Sequence, residues 1–549
     1  MSTVEPALTA RPPRRTTAVR RRPVQPLILR AFLDARVRTL AFAYVFAIYG
    51  FVQPFGYRHA YPKLGDRLAF AQTFANNTGL RLLYGDPHDV QTVSGYTSWR
   101  VGGTLAIAAA IFGLFAAVRA FRTEEDAGRA ELVLAAVVGR RTLYLSALAA
   151  IGAGVLLLWG AELVGFVAAG LPATGSAYLA LATASVAAVC VGVGAVASQL
   201  ASTRRIALAL GGALIALLFL LRVVADTTSG AGWLRWATPL GWAEESRPFT
   251  GAQPLVLLLP AATAAILLVV AARMSGQRDI GTGILPARDS ADPRARLLFS
   301  PTAQALRGEQ GTLIAWASCV AAFAYILGVV SNSVSSADVS ANIQKQIAKL
   351  GSGSITTSSG YLSFIFLFFT LAITVFACTQ IGAARQEEAN QQLETLLSLP
   401  VSRTRWLAGR LLLAMAAAAA IAVTAGVGTW AGAASAHAHV SLLRLLEASA
   451  NTLPIAALFL GIAALVYALV PRASGATTSG ILAVAFLWQL VGSLLSTSKW
   501  LLDLTPFAHV ALIPAQPFRT GAAAVMITIG LVAALAAIGL FGRRDLVSD

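Results

Sequence analysis

The sequence predicts an all-α polytopic membrane protein, and three of its features indicate this class. Of the 549 residues, 57% are apolar and only 12% are charged, whereas soluble domains carry about 25% charged residues. The mean hydropathy is +0.70. Apolar runs long enough to cross a bilayer recur along the whole chain. Together these features exclude a large water-soluble protein.

Twelve apolar stretches are long enough to cross about 30 Å of hydrocarbon, some of them with the help of tilt or flanking residues. In chain order they are Leu40–Phe55, Val101–Val118, Leu143–Val167, Tyr178–Leu200, Ile206–Val224, Pro254–Ala272, Leu313–Val330, Tyr361–Ile381, Leu407–Trp430, Leu453–Val470, Gly475–Leu495 and Ala522–Leu540. We therefore expect twelve transmembrane helices.

The charges predict the orientation of these spans. Residues 1–38 contain nine arginines but only two acidic residues, Glu5 and Asp34, and short segments rich in basic residues stay in the cytoplasm. Within this segment, the helical spacing of apolar residues from Gln25 to Arg38 predicts an interfacial amphipathic helix. Because twelve is an even number of spans, both termini of this multi-pass plasma-membrane protein are expected in the cytoplasm.

An internal duplication is visible in the loops. The loop after the second predicted span reads RTEEDAGRAELVLAAVVGRR (122–141), and the loop after the eighth reads RQEEANQQLETLLSLPVSRT (385–404). At a shift of 263, the identical pairs are Arg122 with Arg385, Glu124 with Glu387, Glu125 with Glu388, Glu131 with Glu394, Leu134 with Leu397, Val138 with Val401, and Arg140 with Arg403.

The ends of the two halves also agree. Gly276-Gln277-Arg278-Asp279 follows the sixth span, and Gly542-Arg543-Arg544-Asp545 follows the twelfth. These matches divide the chain into a basic N-terminal segment (1–38), a first six-helix half (39–274), a cytoplasmic linker (275–310) and a second six-helix half (311–549). Because six is even, both halves enter the membrane from the same side, so we expect two parallel repeats.

Each repeated loop is predicted to contain a short amphipathic helix at the inner membrane face. In the first copy, Thr123 is expected to cap the helix, with acidic side chains near the positive end of its dipole. In the second copy, Pro400 ends the helix before Arg403. A solvated connector needs only basic residues to fix topology, so it does not explain why the glutamates recur. The repetition favours a docking surface for a partner protein.

The stretch QIGAARQEEANQQLETLLSLPVSRTRWLAGRLLLA, from Gln380 to Ala414, resembles the cytoplasmic loop of ABC-2-type exporter permeases. The whole chain is similar to the twelve-span actinobacterial permeases of the tetronasin or polyketide-antibiotic (multidrug) efflux type. The resemblance implies an ATP-driven exporter whose loops act as coupling helices seated on two copies of a cytoplasmic ATP-binding subunit. The implied docking residues are Glu124, Glu125, Glu131 and Arg140 in the first half, and Glu387, Glu388, Glu394 and Arg403 in the second.

The sequence contains no G-x-x-x-x-G-K-[ST] phosphate-binding motif. We therefore expect no cofactor on this chain, with ATP and Mg²⁺ bound by the partner subunit. The resemblance implies a hydrophobic or amphiphilic small-molecule cargo, such as an antibiotic or drug, moved across the lipid bilayer. Beyond the N-terminus, apolar stretches interrupt the basic residues, so nucleic acid is not an expected partner.

Other interpretations remain open at this stage. Glu162 is the one carboxylate within a predicted span. Such acids are candidates for a substrate pathway. The distance of Glu162 from the inner end of the third span also fits a position near the outer headgroups. Arg222 is expected to extend its charge toward the outer surface. A proton-driven secondary transporter of the major-facilitator type also has twelve spans in two parallel halves, but only Val138-Gly139-Arg140-Arg141 resembles its loop motif. No cluster of catalytic residues points to an enzyme.

Overall fold

The computed structural model describes residues 24–74, 80–81, 84–126, 128, 131, 134–135, 139–228, 230–249, 251–279, 281–285, 300–335, 357–494, 500 and 503–546. Within these ranges the regular structure is helical, with no strand. The helices are α1 Val24–Ala60, α2 Leu64–Phe74, α3 Val93–Asp126, α4 Arg140–Ala168, α5 Ala173–Leu200, α6 Arg204–Thr227, α7 Pro239–Glu245, α8 Leu258–Gln277, α9 Pro301–Ser335, α10 Ser358–Ala389, α11 Gln392–Leu397, α12 Arg403–Ser435, α13 Leu442–Ala450, α14 Leu453–Leu469, α15 Ser474–Leu494 and α16 Thr520–Arg543.

Eleven helices within the described ranges are long and apolar enough to cross a membrane. This finding confirms the predicted all-α polytopic class. Helix α15 occupies the predicted eleventh span but is not among these eleven, and residues 495–499 beyond it lie outside the described part of the chain. The total of twelve spans therefore stays a prediction.

Helix packing follows the same order in the two halves. In the first half, α1 packs on α4, α3 on α5, and α5 on α8; in the second, α9 packs on α12, α10 on α14, and α14 on α16. Small residues allow close approach, as membrane helices require. A Cβ at Gly530 of α16 would lie only 2.5 Å from the carbonyl oxygen of Ala457 on α14. The recurrence agrees with a duplication, and the parallel relation of the halves stays a prediction.

Two local predictions change in the structure. The expected interfacial helix and the first span form one continuous helix, α1. Helix α3 also continues through Thr123 to Asp126, with π-helical turns at Thr97–Gly102 and Arg119–Thr123. The predicted N-cap at Thr123 is therefore wrong. The acidic residues Glu124, Glu125 and Asp126 therefore lie at the C-terminal end of a long helix. The partial negative charge at that end of a helix disfavours carboxylates unless cations are nearby.

The two halves meet near one side of the bundle, which the predicted orientation makes the outer side; inner and outer below refer to that prediction. There an aromatic cluster of the first half, which includes Tyr57, Tyr96 and Trp99, packs against Val330 and Tyr361 of the second half. The Tyr57 and Tyr96 rings stack at 3.9 Å between centroids.

Candidate coupling site at the inner face

A buried carboxylate organises the inner end of the second half. Glu388, in the last turn of α10, has a side chain with 0% exposure. Arg544 Nη2 donates to its Oε1 and Oε2 atoms at 2.9 and 2.8 Å, and the Tyr467 hydroxyl donates to Oε2 at 2.7 Å. Arg385 Nη1 lies 3.7 Å from the same oxygen. These partners satisfy a charge that would otherwise be costly to bury.

The same network reaches the start of the next span. Arg403, the first residue of α12, donates from its guanidinium to the carbonyl oxygen of Arg544. The Arg544 guanidinium also lies 5.0 Å from the centre of the Tyr467 ring, within cation–π range. We define Arg385, Glu388, Arg403, Tyr467 and Arg544 as the second inner network. It joins α10, α12, α14 and the residue that follows α16.

The first half contains an equivalent set, which we define as the first inner network: Arg122, Glu125, Arg140, Gln199 and Arg278. Arg278 Nη2 donates to both Glu125 oxygens at 2.7 and 2.8 Å, and its Nε donates to Gln199 Oε1 at 2.7 Å. Arg122 Nη1 donates to Glu125 Oε2 at 3.2 Å. Arg140 Nη1 donates to the Arg278 carbonyl oxygen at 2.8 Å.

The two networks correspond residue by residue. The pairs Arg122/Arg385, Glu125/Glu388 and Arg140/Arg403 are separated by 263 positions, Arg278/Arg544 by 266 and Gln199/Tyr467 by 268. The loop motif and the motif after the last span of each half, which are separate features in the sequence, are therefore in direct contact. Sequence analysis missed Arg278 and Arg544 as site residues, although both belong to a repeated motif and carry that signal.

The remaining predicted docking glutamates divide into partly buried and exposed positions. Glu387 forms an ion pair with Arg410 of α12, and Glu124 is half-buried. Glu131 and Glu394 are exposed. Most of the loop around Glu131 lies outside the described residues. Docking by these side chains stays a prediction, and among the described residues Glu131 and Glu394 are the more exposed of these glutamates.

Helix α11 is fixed firmly enough to present Glu394. Gln391, with a left-handed backbone (φ 60°), separates α11 from α10, and its N–H donates to the Glu388 carbonyl oxygen at 3.0 Å. Leu393 is completely buried in the core of the second half. Glu394 next to it is exposed, and Leu399, just after the helix, is 56% exposed. The short helix therefore has one anchored side and one free side.

Glu162 lies apart from both networks. Its side chain is buried between α4 and α5, where the Thr183 hydroxyl donates to Oε1 at 3.1 Å. Oε2 has no hydrogen-bond partner among the described residues. Its role in a substrate pathway stays a prediction.

A second group of charges lies at the outer side of the first half. The prediction that Arg222 extends its charge to the outer surface is wrong, because its side chain is buried. Its Nε pairs with Asp226 at 2.9 Å and with Glu244 at 3.2 Å. Arg235 Nε lies 2.6 Å from Asp226 Oδ1. Burial raises the pKa of the Glu244 carboxyl to about 8, against the opposing effect of Arg222.

This raised pKa predicts a pH-dependent stability. A carboxyl whose folded-state pKa exceeds its unfolded value of about 4.3 binds more protons in the folded state. Its stabilising contribution is therefore present at low pH and is lost as the pH rises through about 8. We expect the thermal unfolding midpoint of the detergent-solubilised protein to fall between pH 6 and pH 9, and Glu244→Gln to remove part of that fall. Glu447→Gln, at an exposed outer position, is the control; an unchanged fall in Glu244→Gln would contradict the assignment.

The fold defines a polytopic α-helical membrane protein with two equivalent ion-paired networks at its predicted inner side. The family model described as "Multidrug efflux system permease Rv1217c, C-terminal domain" matches residues 68–274 and 298–544, and the chain belongs to this family. The chain is also 31% identical over 498 residues to the multidrug efflux system permease protein Rv1217c of Mycobacterium tuberculosis (strain ATCC 25618 / H37Rv), a match that covers 88% of each chain. These similarities do not favour the major-facilitator alternative.

Proposed function

We propose that this chain is the membrane permease of an ATP-driven exporter of the ABC-2 type, which moves amphiphilic drugs or antibiotics out of the cell. ATP is hydrolysed on two copies of a separate cytoplasmic subunit, each docked beneath one half. The family membership and the name of the M. tuberculosis relative support efflux of drugs. We extend the same proposal to tetronasin-like or other polyketide antibiotics as the cargo.

The observation that carries the proposal is the duplicated inner network. In each half, one carboxylate ties the end of the second span to the residues after the sixth, and one arginine ties the start of the third span to the same point. A push on the intervening loop is therefore transmitted to three spans at once, because the buried ion pairs resist separation. An external motor needs such a rigid connection to rotate a helical bundle.

Docking and transmission then fall to different residues. Glu131 and Glu394 are exposed and contact the ATPase, where their charge orients the partner. Glu125 and Glu388, with Arg140 and Arg403, hold the loop to the spans. Glu124 and Glu387 support the same junction from partly buried positions.

A cavity in the second half is suited to an amphiphilic cargo. It lies between α10 and α15 and has a volume of about 680 Å³, and none of the described residues that line it is charged. Pockets of about 300–1,000 Å³ that are mostly apolar with a few polar groups suit drug-sized molecules. The polar groups here include the buried Thr478 hydroxyl, which has no hydrogen-bond partner among the described residues.

Affinity purification tests the partner directly. A tagged full-length chain, isolated in mild detergent from its native membrane, is expected to retain a cytoplasmic ATPase with a phosphate-binding loop at two copies per chain. Glu447→Arg, on an exposed outer helix, should retain the same amount. Recovery of the chain without any ATPase, under conditions in which the control complex of a known ABC exporter survives, would contradict the proposal.

A further inference from the structure

A second cavity opens at the inner side of the first half. It is bounded chiefly by α1, α3 and α4 and has a volume of about 740 Å³, within the range of small-molecule sites. Its lining on α4 extends from Arg140 at the inner end to Gly154, a rise of about 21 Å at 1.5 Å per residue. The cavity is therefore a shaft that runs from the cytoplasmic surface well into the hydrocarbon layer.

The inner mouth of this shaft carries an excess of positive charge. Six arginines and four carboxylates line it. Glu125 is held by Arg278 and Arg122, and Asp34 lies 3.9 Å from Arg30. Among the described residues, the side chains of Arg38, Arg119 and Arg204 form no ion pair with a carboxylate. These three arginines come from three helices, α1, α3 and α6, and converge on one opening.

The upper part of the shaft is apolar except for one hydroxyl. Phe42, Phe112 and Ile151 belong to its wall. Ser146 also lines it, is 1% exposed and has an Oγ atom with no hydrogen-bond partner among the described residues. A buried hydroxyl without a partner costs free energy, and a polar group along the body of a bound molecule would supply the missing hydrogen bond.

The charge is specific to the first half. Phe112, Phe115, Ala116 and Arg119 of α3 correspond, at the shift of 263, to Val375, Cys378, Thr379 and Gly382 of α10, and these four residues line the uncharged cavity. The same face of the second span thus borders a cavity in each half, but the arginine is replaced by glycine in the second. Topology alone does not require Arg119 to face a cavity.

We propose that the shaft in the first half binds an anionic amphiphile, with its phosphate, sulfonate or carboxylate head among Arg38, Arg119 and Arg204 and its apolar body between α1, α3 and α4. Guanidinium groups suit such heads because they form paired, charge-assisted hydrogen bonds. Basic pockets between helices on the cytoplasmic side hold lipid head groups in this way. The ligand comes either from the inner leaflet, as a phospholipid, or from the cytoplasm, as cargo. The site stands on the cavity itself and does not depend on the energy source of transport.

The test uses the purified full-length chain and two probes. Native mass spectrometry measures bound phosphatidylglycerol against phosphatidylcholine, and fluorescence titration measures 8-anilinonaphthalene-1-sulfonate. The triple variant Arg38→Gln/Arg119→Gln/Arg204→Gln removes the three charges. The matched control, Arg141→Gln/Arg405→Gln/Arg543→Gln, removes three exposed inner arginines that do not line the shaft. Ser146→Leu fills the apolar part and tests it separately.

We expect the cavity triple variant to lower the affinity for an anionic probe at least tenfold, Ser146→Leu to lower it several-fold, and the control to leave it unchanged. Loss of bound phosphatidylglycerol identifies the membrane as the source. Tight binding of the sulfonate without retained phospholipid identifies a cytoplasmic ligand. Equal binding by wild type, cavity variant and control, each with an unchanged thermal midpoint, would overturn the proposal.

Discussion

Charge reversal at Glu394 is expected to reduce ATP-driven export at least tenfold while leaving the fold intact. Glu394 is exposed on α11, and Leu393 beside it anchors the helix. An arginine at this position does not disturb a described internal contact, but under the proposed docking it reverses the charge offered to the ATPase. Like charges across an interface cost several kcal/mol, and about 1.4 kcal/mol already corresponds to a factor of ten. The measurement is dye efflux from cells that express the chain together with the proposed ATPase subunit.

Two comparisons separate docking from general damage. Glu447→Arg reverses an exposed acid on the outer side and should leave efflux unchanged. The amount of Glu394→Arg protein in the membrane and its thermal midpoint should equal those of wild type. Full efflux by Glu394→Arg would show that the second loop is not part of the docking surface.

Removal of Arg544 is expected to lower the free energy of unfolding by about 3–5 kcal/mol, because it leaves the buried Glu388 carboxylate without its two-bond partner. Glu388 has 0% side-chain exposure in the intact protein, so its charge depends on these protein contacts and not on water. The thermal midpoints of Arg544→Ala, Glu388→Ala and the double variant in detergent give the coupling. The double variant should be more stable than Arg544→Ala, since it no longer buries the Glu388 carboxylate without its main partner.

The chain supplies matched controls for this cycle. Arg444 and Glu447 form an exposed pair at 3.1 Å, whose removal should cost about 0.2–1 kcal/mol. In the first inner network, the Glu125 side chain is 18% exposed. Its second arginine, Arg122, lies 3.2 Å away, whereas Arg385 lies 3.7 Å from Glu388. Arg278→Ala should therefore destabilise less than Arg544→Ala. Equal, small effects of removing Arg544, Arg278 or Arg444 would show that the networks do not hold the spans together.

The sequence predicted the membrane class because a spanning helix needs little beyond length and apolar composition. The positions of the spans follow from the same property, and helices occupy the predicted stretches. Local signals were less reliable at helix ends. Thr123 and the acids after it have the pattern of a helix start, but ion pairs of Arg122 with Glu125 and Asp126 occur within the last turns of α3.

The inner networks were only half visible in the sequence. The repeat marked Glu125, Glu388, Arg140 and Arg403, yet their partners lie far along the chain, with 156 positions between Glu388 and Arg544. A single sequence does not reveal which distant residues pair. The cavity arginines were hidden for a different reason: Arg119 follows an apolar span, where a basic residue is expected from topology alone.

Transport by sealed inverted membrane vesicles tests the central proposal, that a separate ATPase drives this bundle through its inner networks. Vesicles that contain the chain and its ATPase are expected to accumulate an amphiphilic dye when ATP is added. Vesicles with the chain alone should accumulate none, whether ATP or an imposed proton gradient is supplied. Uphill dye accumulation by the chain alone under a proton gradient would contradict the account.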